Sequence, residues 1–255
     1  MKATRIVMIA AVVLVLAGLG VAATRNTGGS SDPGAILGQH VLTPPDQRVG
    51  ETILYAPSEA DDPALRSAIA AYTGGTVDYF DTRAATPDVA TLQSYDCVYT
   101  WANYAYLDNV GFGNNLAGAV DSGTVVILGA FCTYTSGNSL SGQIMTAAYS
   151  PVYSPTGSNH FASSNYAGDG TTPIHNGVTT YECFFRDILT LQGAGLQDGS
   201  YQDGEIAHAY RPDFKVIYSN GSGASALGCT GQWALLIANA CQVGVPVELQ
   251  SISIE

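Results

Sequence analysis

The chain has 255 residues, of which 12% are charged, and 21 acidic against 9 basic side chains leave a net charge of -12. That balance argues against a partner held through phosphates, whether nucleic acid or an anionic lipid surface. Less a leader and a linker, the length suits one α/β domain of about 200 residues.

Residues 1–24 open with the basic MKATR and continue as IVMIAAVVLVLAGLGVAA. This is the n-region and h-region of a signal peptide, with Val21-Ala22-Ala23 as its cleavage context. The run is also nearly long enough to stay as an N-terminal membrane anchor. Either reading places the rest of the chain outside the cytoplasm, extracellular or on the cell surface. Residues 25–50 are rich in Gly, Ser and Pro without periodicity and read as a linker or extended arm.

The domain, residues 51–244, begins with ILYAP as a strand. Asp61 or Asp62 then caps a helix with Pro63 in its first turn, Leu65, Ile69 and Tyr72 on one face, and Gly74-Gly75 at its end. TVDYFD is the second strand, TPDVATLQSY a short helix, and YDCVYTW an aromatic and β-branched third strand. Asp108 caps a helix carrying Val110, Leu116, Ala117 and Val120, which Gly123 stops. TVVILGA is a continuous apolar run, as a parallel strand covered on both faces requires. The alternation predicts a doubly wound, mostly parallel, flavodoxin-like sheet. Ligands of such sheets sit beyond the carboxyl ends of the strands, here the loops after Trp101 and Ala130.

Past Ala130 the alternation breaks. Residues 133–172 form a long irregular insertion with one short helix predicted over 139–148, and long loops in compact domains are usually functional or interface-forming. TTYECFFRDILTL reads as one long strand or two short ones. EIAHAYRP and FKVIYSNG form a C-terminal β-hairpin turning at Pro212-Asp213. Residues 231–241 are the final helix. The tail, 245–255, alternates weakly and is a candidate edge strand.

The stretch TPDVATLQSYDCVYTWANYAYLDNVGFGNNLAGAVDSGTVVIL resembles the class I glutamine amidotransferase-like fold, and within it the ThuA-like domains of secreted proteins. The LxxYDxVxxW strand of those domains corresponds to residues 92–101, and their helix-strand unit to residues 112–126. SLSGQIMTAAYSPV, PIHNGV (with His and Pro-Ile differently placed) and GQWALLIANACQ resemble three further stretches, so the resemblance spans most of residues 51–242. It implies a cysteine nucleophile on a tight strand-to-helix turn, with a His and a Glu from the loop before the last helix. In LGAFCTYTSG, Cys132 falls one residue later than the family's Gly-x-Cys spacing, and SNGSGASALGCTGQW contains no His and no Glu. Cys132 is a weak candidate nucleophile on that pattern. The reading is therefore a pseudoenzyme: an exported, non-catalytic binding or structural protein of an extracellular assembly or the cell envelope. The alternative is a secreted cysteine- or carboxylate-dependent hydrolase acting on amides or carbohydrates.

Five cysteines in an exported chain leave at least one unpaired. Cys229 and Cys241 bracket the final helix and would stand about 18 Å apart along it, beyond disulfide reach. The resemblance implies the rest. Cys97 stands where the family has an aliphatic residue and is expected as a buried free thiol. Cys132 and Cys229 lie in loops that meet at the carboxyl edge of that fold and are expected to pair, with Cys183 as the rival partner of Cys132.

Trp101, Tyr104 and Tyr106 after the third strand, with Tyr134, Tyr149 and Tyr153 after the fourth, are candidate ligand or partner contacts; packing under long loops is the plainer role for half of them. Asp169, Asp198 and Asp203, near Glu205 in Gly-rich turns, are candidate calcium ligands without the EF-hand spacing, the alternative being solvated turns. His40, His160, His175 and His208 show no metal-ligand spacing and read as ordinary histidines. Asn220-Gly221-Ser222 is a glycosylation sequon. The expected partners are other extracellular or envelope proteins or glycans, or further copies of the chain joined through arm or tail in a homo-oligomer or polymer.

Overall fold

The computed structural model describes residues 50–244; the leader, the arm and the tail lie outside the described residues. The first half of the domain forms in the predicted order: β1 (Thr52–Tyr55), α1 (Pro63–Thr73), β2 (Thr76–Tyr79), α2 (Val89–Gln93), β3 (Cys97–Thr100), α3 (Asn109–Asp121) and β4 (Val125–Leu128). An aspartate starts each helix. Asp62, Asp88 and Asp108 accept the backbone N–H three residues on, which satisfies one of the orphan donors of the first turn. Gly74 closes α1 in the left-handed conformation that favours glycine. Leu65 and Ile69 face the core, whereas Tyr72, expected beside them, is exposed.

The second half is made of shorter pieces: β5 (Val152–Tyr153), β6 (Ser164–Asn165), β7 (Tyr181–Cys183), β8 (Thr190–Leu191), β9 (Leu196–Gln197), β10 (His208–Tyr210), β11 (Val216–Ser219), β12 (Thr230–Gly231) and α4 (Trp233–Val243). TTYECFFRDILTL thus holds two short strands, and β10 and β11 form the predicted hairpin. The short helix over 139–148 reduces to a 3-10 turn at Gln143–Met145, because Gly142 before it takes φ +74 and Thr146 after it is extended.

The main sheet has the order β2-β1-β3-β4-β11-β10-β9. It is parallel from β2 to β11, and β10 and β9 continue it antiparallel. With β11 as the fifth parallel strand this is the flavodoxin-like order, whose switch point lies between β1 and β3. The central strands β3 and β4 are buried along their whole length, which is why they read as apolar runs. α1 packs against α4 and α2 against α3, one pair on each face.

That layering sets the disulfides, and they differ from those expected. α4 runs antiparallel to the parallel strands, so its last turn returns to the amino edge, where Lys215 Nζ reaches the carbonyl of Gly244. Cys241 there meets Cys97, the first residue of β3, and the two are bonded with Cα atoms 5.5 Å apart. Cys97 is therefore not a free thiol. β12 pairs antiparallel with β7, Thr230 opposite Glu182, which sets Cys229 beside Cys183, and these two form the second disulfide. Neither Cys132–Cys229 nor Cys132–Cys183 exists; Cys132 is the free cysteine and is buried.

Candidate functional site

The turn that leaves β4 is Gly129-Ala130-Phe131-Cys132. Gly129 is required by close approach, since a Cβ there would stand 2.7 Å from the carbonyl oxygen of Gly221 and 2.8 Å from Trp101 Cβ. Phe131 takes φ +66, a left-handed conformation that costs a non-glycine residue about 1–3 kcal/mol. At Gly-x-Cys spacing from Gly129, the strained position is thus filled by a phenyl ring. Cys132, one residue on, turns inward. Its thiol donates to the Thr100 carbonyl at 3.8 Å and shares a hydrogen bond with the Tyr106 hydroxyl at 3.5 Å. Burial pushes the thiol up to about 12, and among the described residues no imidazole is hydrogen-bonded to it.

The donors of the turn are also taken. Asp187 is fully buried behind it. Its carboxylate accepts from Thr133 Oγ1 at 2.8 Å, from the Thr133 N–H at 3.4 Å, from Asn159 Nδ2 at 2.9 Å, from the Tyr218 hydroxyl and from the Phe131 N–H. An acyl-transfer site needs such backbone N–H groups free for a developing oxyanion. Here an internal carboxylate holds them. Burial pushes the Asp187 carboxyl up from its ordinary value, and the hydrogen bonds oppose that rise.

Above the sealed turn lies a cluster of rings. Phe131 contacts Tyr134 at 5.1 Å and Phe185 at 5.5 Å between centroids, Phe161 contacts Phe185 at 5.6 Å, and Phe184 contacts Phe185 at 4.8 Å. Phe161 is 49% exposed and Phe184 37% exposed, so the cluster forms a contiguous aromatic surface. Phe161 is left-handed as well, at φ +51. Two phenylalanines of one patch thus sit in a backbone conformation that phenylalanine rarely adopts.

No protein-family model and no curated protein sequence matches this chain. Solved structures do. A cytoplasmic protein of Salmonella typhimurium superposes with TM-score 0.54 at 13% identity, covering 75% of this chain and 98% of that one. The match is one of fold. The structure neighbours also include a protein described as ThuA-like from Bacteroides uniformis (TM-score 0.46, 11% identity, 76% of this chain and 90% of that one). A glutamine amidotransferase from Thermotoga maritima is another (TM-score 0.43, 10% identity, 67% and 75%). At that level of superposition these two add nothing about site or chemistry.

The six expected contact aromatics are not brought together. Only Tyr134 joins the rings. Trp101 and Tyr106 are core residues: the Trp101 indole N–H donates to Tyr55 Oη, and Tyr106 is hydrogen-bonded to Thr100 and Cys132. Trp101 turns inward because the chain runs on past β3 to a bridge between Ala102 and Ser58. Tyr104 is exposed under the Arg83 guanidinium, Tyr149 donates to Asp121, and Tyr153 lines a separate cavity of about 210 Å³, beneath which Cys132 lies fully buried.

The three candidate calcium ligands each tie their own loop to a distant segment of the chain. Asp169 accepts from Ser200, Asp198 from Thr171, Thr172 and His175, and Asp203 from Arg186. Burial raises each carboxyl, but these hydrogen bonds prevail and hold all three below the ordinary range. Among the described residues no three His, Cys, Asp or Glu side chains form a group suited to a metal ion. Asn220 is fully buried, with its amide bonded to Asp187 and Ile206, so the folded domain does not present it for glycosylation.

Sequence reasoning missed Asp187, Phe131 and a buried line of hydrogen bonds. That line runs from Asp198 to His175 Nδ1 (2.8 Å), from His175 Nε2 to Tyr181 Oη (3.1 Å), on to His208 Nδ1 (3.2 Å), and from His208 Nε2 to Ser219 Oγ (2.7 Å). Burial, and then the neighbouring His175, hold the His208 imidazole well below its usual range. The unfolded chain takes a proton there below pH ~6.5 that the folded chain refuses, so stability is lost as pH falls through that value. Urea unfolding at pH 7 and pH 5, compared with His208→Gln, checks it: the wild type should lose more stability than the variant as the pH falls.

Proposed function

We propose that this chain is an exported, non-catalytic binding domain whose contact face is the ring cluster at the carboxyl edge. The sealed turn carries the reading. A phenylalanine fills the strained position, an internal carboxylate occupies the backbone donors, and the cysteine is buried with its thiol pushed up to about 12. Export is supported by the apolar leader and by two disulfides, cross-links that persist in oxidising compartments. Phenylalanine rings carry no hydrogen-bonding handle, so the surface suits apolar side chains of an extracellular or envelope protein better than a polar ligand.

The test combines two surface substitutions. Phe161→Asn keeps a residue that tolerates the left-handed turn, and Phe184→Ser removes the second exposed ring. The pair should shift Tm by no more than about 2 °C. It should abolish saturable binding to envelopes of the producing cell, whereas Cys132→Ala binds like the wild type. Amide or ester hydrolysis that disappears in Cys132→Ala would overturn the reading.

A further inference from the structure

The ring cluster runs on into the outer face of a small sheet. β12, β7 and β6 pair antiparallel in that order. Tyr181 and Cys183 of β7 point into the core and are buried, so strand alternation puts Glu182 and Phe184 on the outer face. The ladder continues past the end of β7: the Phe184 N–H donates to the Gly228 carbonyl, and the Phe184 carbonyl accepts from the Ala162 N–H. Glu182 stands opposite Asn165 on one side and Thr230 on the other, both exposed.

Glu182 is half-buried. Its backbone carbonyl is taken by the Trp233 indole, but nothing among the described residues donates to its carboxylate or forms an ion pair with it. The other acids around the rings are matched. Asp203 is paired with Arg186, and Glu205 is bonded to His160, each at 2.7 Å. Arg186 itself is fully buried and held by Asp203 and the Ala162 carbonyl. Glu182 is therefore the uncompensated charge beside the rings. The rest of the domain has the same sign. Residues 50–244 hold 17 acidic and 5 basic side chains. Four of those cations are paired with an aspartate, and Lys215 is held by the carbonyls of Gly123 and Gly244. A partner complementary to such a surface is basic, whereas two copies of the domain repel each other.

The register names the side chain. Same-face neighbours on a strand stand about 7 Å apart. The stem of an arginine or lysine covers such a distance along apolar surface while its head stays in water. We propose that this face takes a basic segment of an extracellular or envelope protein. One arginine or lysine lies along Phe184 with its head group at Glu182, and an apolar neighbour in the segment meets Phe161. The proposal rests on the ring cluster being the contact face.

Fluorescence anisotropy with the full chain at physiological ionic strength tests it. The probe is a labelled peptide of glycine, leucine and arginine, and its counterparts carry glutamine or glutamate in place of arginine. The arginine peptide should bind saturably and most tightly, the glutamate peptide least. Glu182→Gln should weaken the arginine peptide about fivefold, the upper range for a partly exposed ion pair, and leave the glutamine peptide unchanged. Glu51→Gln, beside the start of β1 at the opposite edge of the sheet, should change neither, which separates this contact from general attraction to an acidic domain. Phe161→Asn with Phe184→Ser should abolish binding of both. Equal binding of the arginine and glutamine peptides, both lost in that double variant, would overturn the basic partner and leave the ring face standing. Arginine-peptide binding that survives the double variant, equal losses from Glu182→Gln and Glu51→Gln, or no peptide binding at all would also overturn it, and so would self-association of the chain that Glu182→Gln abolishes.

Discussion

Replacing Cys97 and Cys241 together by alanine is expected to cost the domain about 3–5 kcal/mol and to lower its Tm by roughly 10 °C. The bond spans 144 residues and fastens the end of α4 to the start of β3, so it closes the domain from β3 to its last helix and leaves β1, α1, β2 and α2 outside the loop. In the chain-entropy account a loop of that length is worth about 5 kcal/mol, before any relaxation of the folded state. The Cys183–Cys229 bond spans 46 residues and is worth about 4 kcal/mol on the same scale. Calorimetry with and without reductant checks both. Reductant should lower the wild-type Tm further than it lowers that of either double variant, and Cys132→Ala should respond to reductant like the wild type. A reductant-insensitive Tm, or a peptide map joining Cys132 to Cys229, would contradict this connectivity.

Asp187→Ala should be the most damaging change at the carboxyl edge, at about 4 kcal/mol. It strips the acceptor from Thr133, Asn159, Tyr218 and the Phe131 N–H, all buried. Each orphaned donor costs about 1–3 kcal/mol, and partial collapse of the site recovers some of the total. Asp187→Asn keeps one acceptor oxygen but turns an amide NH₂ toward other donors, so about 2 kcal/mol is expected. The pH dependence has a definite sign. The folded carboxyl sits above its unfolded value of about 3.9, so its contribution is fully present below that pH and is lost as pH rises through the folded value. The cost of Asp187→Asn should therefore be larger at pH 4 than at pH 7 in urea unfolding.

The parallel half of the sheet was legible because its signals are local. Buried strands such as VVIL carry no alternation, and an aspartate marks the start of each of α1 to α3. The disulfides were not legible in the same way. Cys97–Cys241 depends on α4 crossing the sheet back to its amino edge, and Cys183–Cys229 on a pairing of two-residue length. Strands as short as β12 or β6 leave no periodic trace. Asp187, inside FFRDILTL, reads as part of a strand, and nothing in its neighbours points to Phe131, 56 positions away in the chain. The one-residue offset of Cys132 was readable, and the structure supplies its meaning: Phe131 holds the left-handed position and Cys132 faces inward.

The sealed turn is tested most directly by the reactivity of Cys132. With both disulfides intact it is the single free thiol among the described residues. Iodoacetamide should leave the native chain unlabelled at pH 8, and label one thiol per chain once it is unfolded in guanidinium without reductant. Native labelling of Cys132 at the rate of an exposed cysteine would mean an open, ionisable thiol at the end of β4, and the non-catalytic account would fail.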